Sequence, residues 1–446
     1  MIKSFRAPLM VAPMMVGALM ALSACGIFKG GGPKKTPTVG QRVPILASET
    51  GVEADPTLAG IAIQLPAAAV NEAWAQPGGS AAKSNGHLAL GASFARAWTA
   101  TINGGSNRER LGAAPVVAEG KLFVVDVQGT AQAFNAVTGA ALWSRNLPET
   151  EENRPSRFGG GISYDDGKVY ATDGLGDVAA LNAADGAVLW RAKPGGPLRG
   201  APTVANGTVY VLTQDNQIFA LGQADGKVQW SAQGTLETQG VFGAAAPAAS
   251  QGSIVAGFSS GELSAYRYEN GRVLWQDALS RSSATTSVSS LADIDAAPVI
   301  EAGRVYAVGQ GGRMVALELS TGQRLWEQNI GGISTPWIAG EWLFVVADDA
   351  RLFCLSRASG KARWIVQLPR FRNEKGRKGT ITWFGPVLAG DRLLLTNSRG
   401  NIVSVSPTDG AVRSTLETGT PFALPPIVAN NTLYTLDQDG RITAFR

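Results

Sequence analysis

Short apolar runs separated by Gly-rich polar turns recur along the chain as one 30-residue pattern, which is written eight times. The second position of this pattern is proline in seven of the eight units, position 26 is glycine in the first seven, and position 30 is tryptophan in the first six. Self-similarity at this period is typical of propellers, solenoids and other repeat arrays. The units begin at Ala114, Gly161, Ala201, Ala246, Ala297, Thr335, Gly385 and Pro425.

Each unit has the pattern of four β-strands. In the first unit, an apolar strand at Lys121–Val125 is followed by a polar turn at Asp126–Gly129 and by a second run that ends on Phe134. A Thr-Gly, Asp-Gly, Asn-Gly or Ser-Gly pair then precedes a short strand that carries the tryptophan, and such pairs between apolar runs are typical of β-hairpins. The Ala-Pro strand in front suits a proline, because the first residue of a strand needs no ladder donor. Each unit therefore predicts one four-stranded antiparallel propeller blade.

The eighth unit ends at Arg446 after three strands. Residues 94–102, which precede the first unit, carry Trp98 at the place of the repeat tryptophan. Because an incomplete blade would leave an open sheet edge, we expect this segment to supply the missing outer strand. The sequence thus predicts an all-β fold, an eight-bladed β-propeller of four-stranded antiparallel blades over residues 94–446, with the ring closed by an N-terminal strand. The repeat tryptophans are predicted to pack between blades.

Residues 1–24 predict a secretory signal peptide, because Lys3 and Arg6 precede a short apolar stretch and small residues before Cys25. Cys25 resembles the acylated cysteine of a bacterial lipobox; an ordinary signal peptide with a chance cysteine is the alternative. Acyl chains on Cys25 would provide a durable membrane anchor. Gly26 stands where an aspartate would resemble an inner-membrane retention signal, which favours the outer membrane and its periplasmic face.

The segment between the lipidation site and the propeller has two parts. Residues 25–60 are rich in Gly, Pro, Lys and Thr and predict a flexible tether. Residues 61–93 form an N-terminal extension, whose Ala-rich part is compatible with a helix and whose Trp74, with Gly78-Gly79, is expected to pack on the ring. Only two of the 39 Lys and Arg residues lie in the signal peptide, so the mature chain, with 35 Asp and Glu, is close to neutral. This balance argues against bulk electrostatic binding of nucleic acid.

The connections between strands indicate which end of the ring carries function. The first and third turns of each blade lie at one end and are short, whereas the second turns and the inter-blade links lie at the other. The links vary in length and occupy residues 144–160, 191–200, 231–245, 276–296, 327–334, 365–384 and 415–424. Variable loops on a rigid scaffold usually carry binding sites, and shielding of blade edges is the alternative role for any single link.

The residues that carry catalysis or bind metals are few. His87 is the only histidine and precedes the ring, so it cannot be combined with a serine and an aspartate of the blades into a catalytic triad. Cys354 occupies a repeat position that is alanine in six of the other units, which predicts a small buried residue. No His and Cys cluster has metal-ligand spacing. We therefore expect no catalytic residues, no metal and no cofactor.

The repeat resembles that of quinoprotein dehydrogenases, whose eight-bladed propellers bind pyrroloquinoline quinone. Members of that family typically carry an adjacent cysteine pair and acidic calcium ligands, and this chain has no adjacent cysteines. The resemblance therefore covers the scaffold and not the site, and a fold alone does not establish function.

A second resemblance combines the repeats, the lipobox and the eight-unit count, and it is to the BamB family, the propeller lipoproteins of the outer-membrane β-barrel assembly (Bam) machinery. The segment from Leu291 to Val299 is similar to a family segment that ends the longest link, and the resemblance implies that Asp293 and Asp295 contact the partner. A second family contact maps to Val241 and Phe242, where the family's arginine and one leucine are not kept. A turn-capping role for the two aspartates is the alternative.

The resemblance implies a non-enzymatic scaffold lipoprotein on the periplasmic face of the outer membrane. Its expected partners are the periplasmic domains of a barrel-forming, BamA-like insertase and, in addition, nascent outer-membrane proteins. The basic link residues 370–378 are either a solvated loop or a patch for an acidic partner. The alternative function is a periplasmic quinoprotein-like oxidoreductase or a ligand-binding propeller.

Overall fold

The computed structural model of the protein describes residues 51–93, 95–106, 109–147, 159–236, 243–279 and 292–446. In these ranges it contains one short 3-10 helix, Pro56–Leu58, and 34 β-strands. None of the described helical residues forms a helix long and apolar enough to cross a membrane. The predicted signal peptide, Cys25 and the first part of the predicted tether lie outside the described residues.

Eight four-stranded antiparallel sheets form the eight blades of a β-propeller, as predicted. The strand before the first blade is β1 (Arg96–Thr101). Blades one to four consist of β2 (Val116–Ala118), β3 (Lys121–Val125), β4 (Thr130–Asn135) and β5 (Ala141–Asn146); β6 (Gly160–Asp165), β7 (Lys168–Asp173), β8 (Val178–Asn182) and β9 (Val188–Ala192); β10 (Thr203–Ala205), β11 (Thr208–Leu212), β12 (Gln217–Gly222) and β13 (Val228–Gln233); and β14 (Ala248–Ser250), β15 (Ser253–Gly257), β16 (Glu262–Arg267) and β17 (Val273–Ala278).

Blades five to seven follow the same order, and the eighth has three strands from the end of the chain. They consist of β18 (Val299–Glu301), β19 (Arg304–Gly309), β20 (Arg313–Glu318) and β21 (Arg324–Gln328); β22 (Trp337–Ala339), β23 (Trp342–Val346), β24 (Arg351–Ser356) and β25 (Ala362–Gln367); β28 (Trp383–Ala389), β29 (Arg392–Asn397), β30 (Asn401–Val405) and β31 (Val412–Glu417); and β32 (Ile427–Ala429), β33 (Thr432–Leu436) and β34 (Arg441–Phe445). A separate hairpin, β26 (Phe371–Asn373) and β27 (Lys378–Thr380), lies in the link before blade seven.

The N-terminal strand closes the ring, which confirms the predicted closure. β1 pairs antiparallel with β34, and Trp98 lies opposite Ala444. Backbone hydrogen bonds between Ala95 and Arg446 continue the pairing in both directions. The eighth blade is thus completed to four strands from the other end of the chain.

Each outer-strand tryptophan joins its blade to the next, as predicted. Trp230 donates its indole N–H to the Tyr268 carbonyl at 2.8 Å, and a Cβ built on Gly271 of the same turn would lie 2.5 Å from the Trp230 ring. The same pairing of ring and glycine recurs at six other interfaces, including that of Trp98 with Gly139. Glycine is required there because any side chain would overlap the ring.

Residues 71–90, which we call the axial plug, run along the first strands of all eight blades. Hydrogen bonds reach the plug from the first strand of every blade or from the turn beside it, at Val117, Tyr164, Val204, Ala249, Ile300, Trp337, Leu388 and Val428. Trp74 is buried and stacks on Trp337 with ring centroids 6.1 Å apart. The plug contains no helix. Trp74 therefore packs on the ring, as expected, whereas the Ala-rich part of residues 61–93 forms no helix.

Residues 51–60, which the sequence assigned to the tether, lie against the sixth blade. The Asp55 N–H donates to the Ala362 carbonyl at 2.8 Å, and its carboxylate pairs with Lys361 at 2.7 Å. Backbone hydrogen bonding to a blade thus gives this part of the predicted tether a defined position.

Candidate functional site

The described ends of the links that lead into blades three, four and five meet at one end of the ring, which we call the link face. The Arg199 guanidinium Nη2 lies 2.9 Å from Asp295 Oδ1 and 3.5 Å from Asp293 Oδ1. The three side chains are 2%, 7% and 1% exposed, respectively. We call these three residues the buried charge cluster.

Backbone bonds hold each member of the cluster in place. The Arg199 N–H donates to the Leu212 carbonyl at 2.8 Å, which fixes the link against blade three. The Gln310 N–H donates to the Asp293 carbonyl at 2.8 Å, and the Gln310 side-chain amide donates to Asp295 Oδ2 at 2.7 Å. Between the two aspartates, Ile294 is fully buried. Alternation along this extended stretch therefore turns both carboxylates towards Arg199.

Gly243 forms the fourth side of the cluster. A Cβ at this position would lie 1.4 Å from Asp295 Oδ1 and 2.7 Å from Arg199 Nη2, so no larger residue fits without moving the ion pair. The Arg199 Nε also approaches the Gly243 carbonyl at 3.5 Å. The cluster thus ties together the links of three consecutive blades.

The balance of charge in the cluster favours one bound proton. Burial raises the pKa of Asp295 to about 7, the Arg199 guanidinium opposes that shift, and the neighbouring Asp293 carboxylate reinforces it. Two carboxylates share one guanidinium, and a proton on one of them leaves the cluster neutral. A neutral cluster is the least costly state in a buried site.

Of the predicted partner-binding residues, the structure brings Asp293 and Asp295 together. Val241, Phe242 and the predicted lipidation site Cys25 lie outside the described residues. The contact of the two aspartates with a partner protein stays a prediction, and their burial gives them an internal partner in Arg199.

Arg199 was not among the site residues predicted from the sequence, although the sequence carries a signal for it. Arg199 and Asp295 both stand two residues before the start of a unit, at Ala201 and Ala297. Equivalent positions of two units face the axis at similar heights in a propeller. Opposite charges at such positions therefore predict an ion pair between two links at the link face.

The basic link forms an exposed hairpin on the link face. Its strands β26 and β27 carry Arg372 and Lys378, and Arg372 donates to the Ser398 carbonyl at 2.9 Å. Glu374 accepts the backbone N–H groups of Arg370 and Phe371, which caps the start of the hairpin. The predicted contact with an acidic partner stays a prediction.

An axial cavity of about 890 Å³ lies inside the ring. Residues of the axial plug line one end, among them Trp74 and Lys83, and residues of links and second turns, such as Glu109 and Asp439, line the other. The plug therefore forms the floor of the cavity, and the mouth lies at the link face.

The two residues considered for chemistry have structural roles. Nδ1 of His87 lies 2.8 Å from the Pro66 carbonyl, and Nε2 accepts the Asp391 N–H at 3.1 Å, so Nδ1 is the donor to Pro66. This ring ties the extension to blade seven. Cys354 is buried among apolar side chains, and burial raises the pKa of its thiol. Among the described residues, no group of three or more His, Cys, Asp and Glu side chains is placed to hold a metal ion.

Comparisons with known proteins agree with this architecture. A curated relative, the outer membrane protein assembly factor BamB of Salmonella typhimurium, is 28% identical over 352 residues, which cover 78% of this chain and 88% of that protein. The crystal structure of BamB from Moraxella catarrhalis superposes with a TM-score of 0.68 at 17% identity and covers 79% of this chain and 100% of that one.

A quinohemoprotein alcohol dehydrogenase from Comamonas testosteroni also superposes, with a TM-score of 0.63 at 15% identity, over 85% of this chain and 81% of that one. At such identities, structural likeness shows the fold alone. The family model described as outer membrane protein assembly factor BamB, in contrast, matches the sequence over residues 95–157 and 132–366. These ranges span more than half of the chain, which therefore belongs to the BamB family of outer membrane protein assembly factors.

Proposed function

We propose that the protein is a non-enzymatic scaffold of outer-membrane β-barrel assembly, which docks the periplasmic domains of a barrel-forming, BamA-like insertase. Membership of the BamB family is the observation that carries this proposal. The closed ring supports it, because eight blades hold the described link residues Arg199, Gly243 and Asp295 at defined positions, and a partner can bind there at a low ordering cost.

The docking surface lies on the link face of blades three to five. There the buried charge cluster holds three links, so Asp293 and Asp295 set the position of the backbone that a partner meets. Asp295 is the more exposed of the two and lies in the wall of the axial cavity, which makes it the better candidate for direct contact. Val241 and Phe242 directly precede Gly243 in the sequence, and we propose that they add an apolar contact with the partner.

Cys25 anchors the scaffold, through its acyl chains, to the periplasmic face of the outer membrane. Nascent outer-membrane strands are the second class of partner. The outer strands of the blades display exposed apolar residues beside their free edges, among them Leu142, Leu189 and Leu274. A free edge of this kind accepts an extended chain by strand addition.

The docking proposal is tested by titration calorimetry of the full chain against the insertase's periplasmic domains. Asp293→Ala combined with Asp295→Ala should weaken binding about tenfold or more, which corresponds to about 1.4 kcal/mol. Asp409→Ala is the matched control, because Asp409 is an exposed carboxylate that pairs with Arg413 in a third turn, at the opposite end of the ring.

The shape of the titration separates docking from folding. If the aspartates only stabilise the fold, the double variant binds with fewer sites per chain and with an unchanged dissociation constant. An unchanged dissociation constant at full site occupancy contradicts the proposal that the cluster shapes the docking surface.

A further inference from the structure

Lys83 of the axial plug is buried inside the ring at a place where no blade supplies a counter-charge. Its side chain is 2% exposed, and its ammonium Nζ donates to Thr203 Oγ1 at 3.1 Å. The Thr203 hydroxyl donates its own proton to the Pro247 carbonyl at 2.6 Å and thus accepts from Lys83. In the described ranges, Lys83 forms no ion pair with a carboxylate, and this single hydroxyl is its hydrogen-bond acceptor.

A buried ammonium group with one acceptor is costly. Burial alone lowers the pKa of Lys83 to about 7, with no opposing carboxylate. An ammonium offers three donors, so two are left without a protein acceptor when the amine is charged. A bound anion would supply both the missing acceptors and the missing charge.

Lys83 is one of the residues that line the floor of the axial cavity, and Trp74 and Trp337 belong to the same lining. The walls above it are formed by small residues at the starts of the units, such as Ala201 and Ala246. A volume of about 890 Å³ is within the range of small-molecule sites, and the lining combines an apolar body with one charged end.

The other charged groups that face the cavity belong to links and second turns. Glu109, Arg110, Asp437 and Asp439 line its mouth, and Asp295 lies in the wall but is paired with Arg199. The carboxylates at the mouth disfavour a ligand with several negative charges. A single negative charge carried to the floor by an apolar body fits this arrangement.

We propose that the axial cavity is a binding site for a small apolar monocarboxylate, which enters from the link face and places its carboxylate against the Lys83 amine. This site goes beyond the scaffold function, because it uses the plug and the inner strands and not the docking links. The ligand brings the acceptors that the protein lacks at this position. Binding near pH 8 therefore protonates the amine and takes up one proton from solution.

The test is titration calorimetry of the full-length chain with phenylbutyrate and with the neutral, matched phenylbutyramide. At pH 8 the carboxylate should bind and the amide should bind at least about tenfold more weakly, since the amide brings no charge to the amine. Repeating the titration in two buffers of different ionisation enthalpy should show uptake of close to one proton per site.

Lys83→Met and Lys83→Gln should each reduce carboxylate affinity about tenfold and abolish the proton uptake, while their thermal melting shows that they are folded. Lys227→Met is the control, because Lys227 is highly exposed on a third turn and its loss should change neither quantity. Absence of carboxylate binding at millimolar concentration, binding without proton uptake, or equal affinity of folded Lys83→Met each overturns the proposal.

Discussion

Gly271→Ala tests the blade interface most directly, because the structure offers a control with the same backbone conformation. Gly271 has a φ of +69°, and a Cβ there would lie 2.5 Å from Cε3 of Trp230. Gly120 also has a φ of +69°, and nothing lies within 4 Å of its Cβ position. The two substitutions therefore share the cost of a left-handed alanine and differ in the contact with the ring.

The expected magnitudes follow from that difference. A left-handed alanine costs about 1–2 kcal/mol, which is the whole cost expected for Gly120→Ala. At Gly271 the ring must also move, which costs about 1–3 kcal/mol for overpacking. Movement of the ring further weakens the Trp230 hydrogen bond to Tyr268, a loss of about 1 kcal/mol. Gly271→Ala should thus destabilise the protein by about 2–4 kcal/mol more than Gly120→Ala does.

The free energy of unfolding of both variants is measured by equilibrium unfolding in urea, and the midpoints are compared at a common slope. Trp230→Ala removes the ring, and in that background Gly271→Ala should cost no more than the control. Equal destabilisation by Gly271→Ala and Gly120→Ala would refute the reasoning. So would a penalty at Gly271 that survives in the Trp230→Ala background.

Four further predictions concern closure, charge and anchoring. Deletion of residues 94–102 should lower the melting temperature by well over a few degrees, because it removes the strand that completes the eighth blade. Between pH 7 and 9, the free energy of unfolding should rise by about 1.4 kcal/mol per pH unit through Lys83. The reason is that the unfolded lysine keeps its proton up to its ordinary pKa of 10.5, whereas the folded one loses it near pH 7. Denaturant titrations of Lys83→Met should lack this slope. Arg199→Ala should destabilise the fold by about 3–5 kcal/mol in urea unfolding at pH 8, because it leaves two buried carboxylates without a cation. Cys25→Ser should release the protein into the soluble periplasmic fraction, and a variant that still sediments with membranes after a carbonate wash contradicts lipidation.

The ring was predictable because its determinants are local and repeated. Proline, glycine and tryptophan recur at fixed places in the units. Proline begins a strand, glycine adopts the left-handed conformation of a turn, and the tryptophan ring of the preceding blade covers that turn. The exception is equally informative. Ser414 replaces the tryptophan in blade seven, and the neighbouring blade eight has no third turn, because its outer strand β1 comes from the other end of the chain. A ring at position 414 would have no glycine to cover.

The candidate site was less predictable because its contacts join distant parts of the chain. Asp293 and Asp295 were identified by family resemblance, whereas Arg199 lies 94 residues before the first of them and is separated from it in sequence by blades three and four. Lys83 lies in an extension without repeats or periodicity, so its sequence carries no sign of burial. The floor of the axial cavity therefore becomes visible only in three dimensions.

The axial plug also explains how the ring tolerates its one irregular interface. Blades seven and eight lack the contact between tryptophan and glycine, and at this interface the end of the plug meets Ala69, which lies just before the plug begins. Ala69 and Leu88 form a parallel bridge with each other, Leu88 pairs with Ala389 of blade seven, and Asn71 bonds to Val428 of blade eight. The ring is thus closed at its outer side by β1 and at its axis by the plug. Because both closures use residues before the first unit, residues 69–101 are an integral part of the ring although they lie outside the repeats.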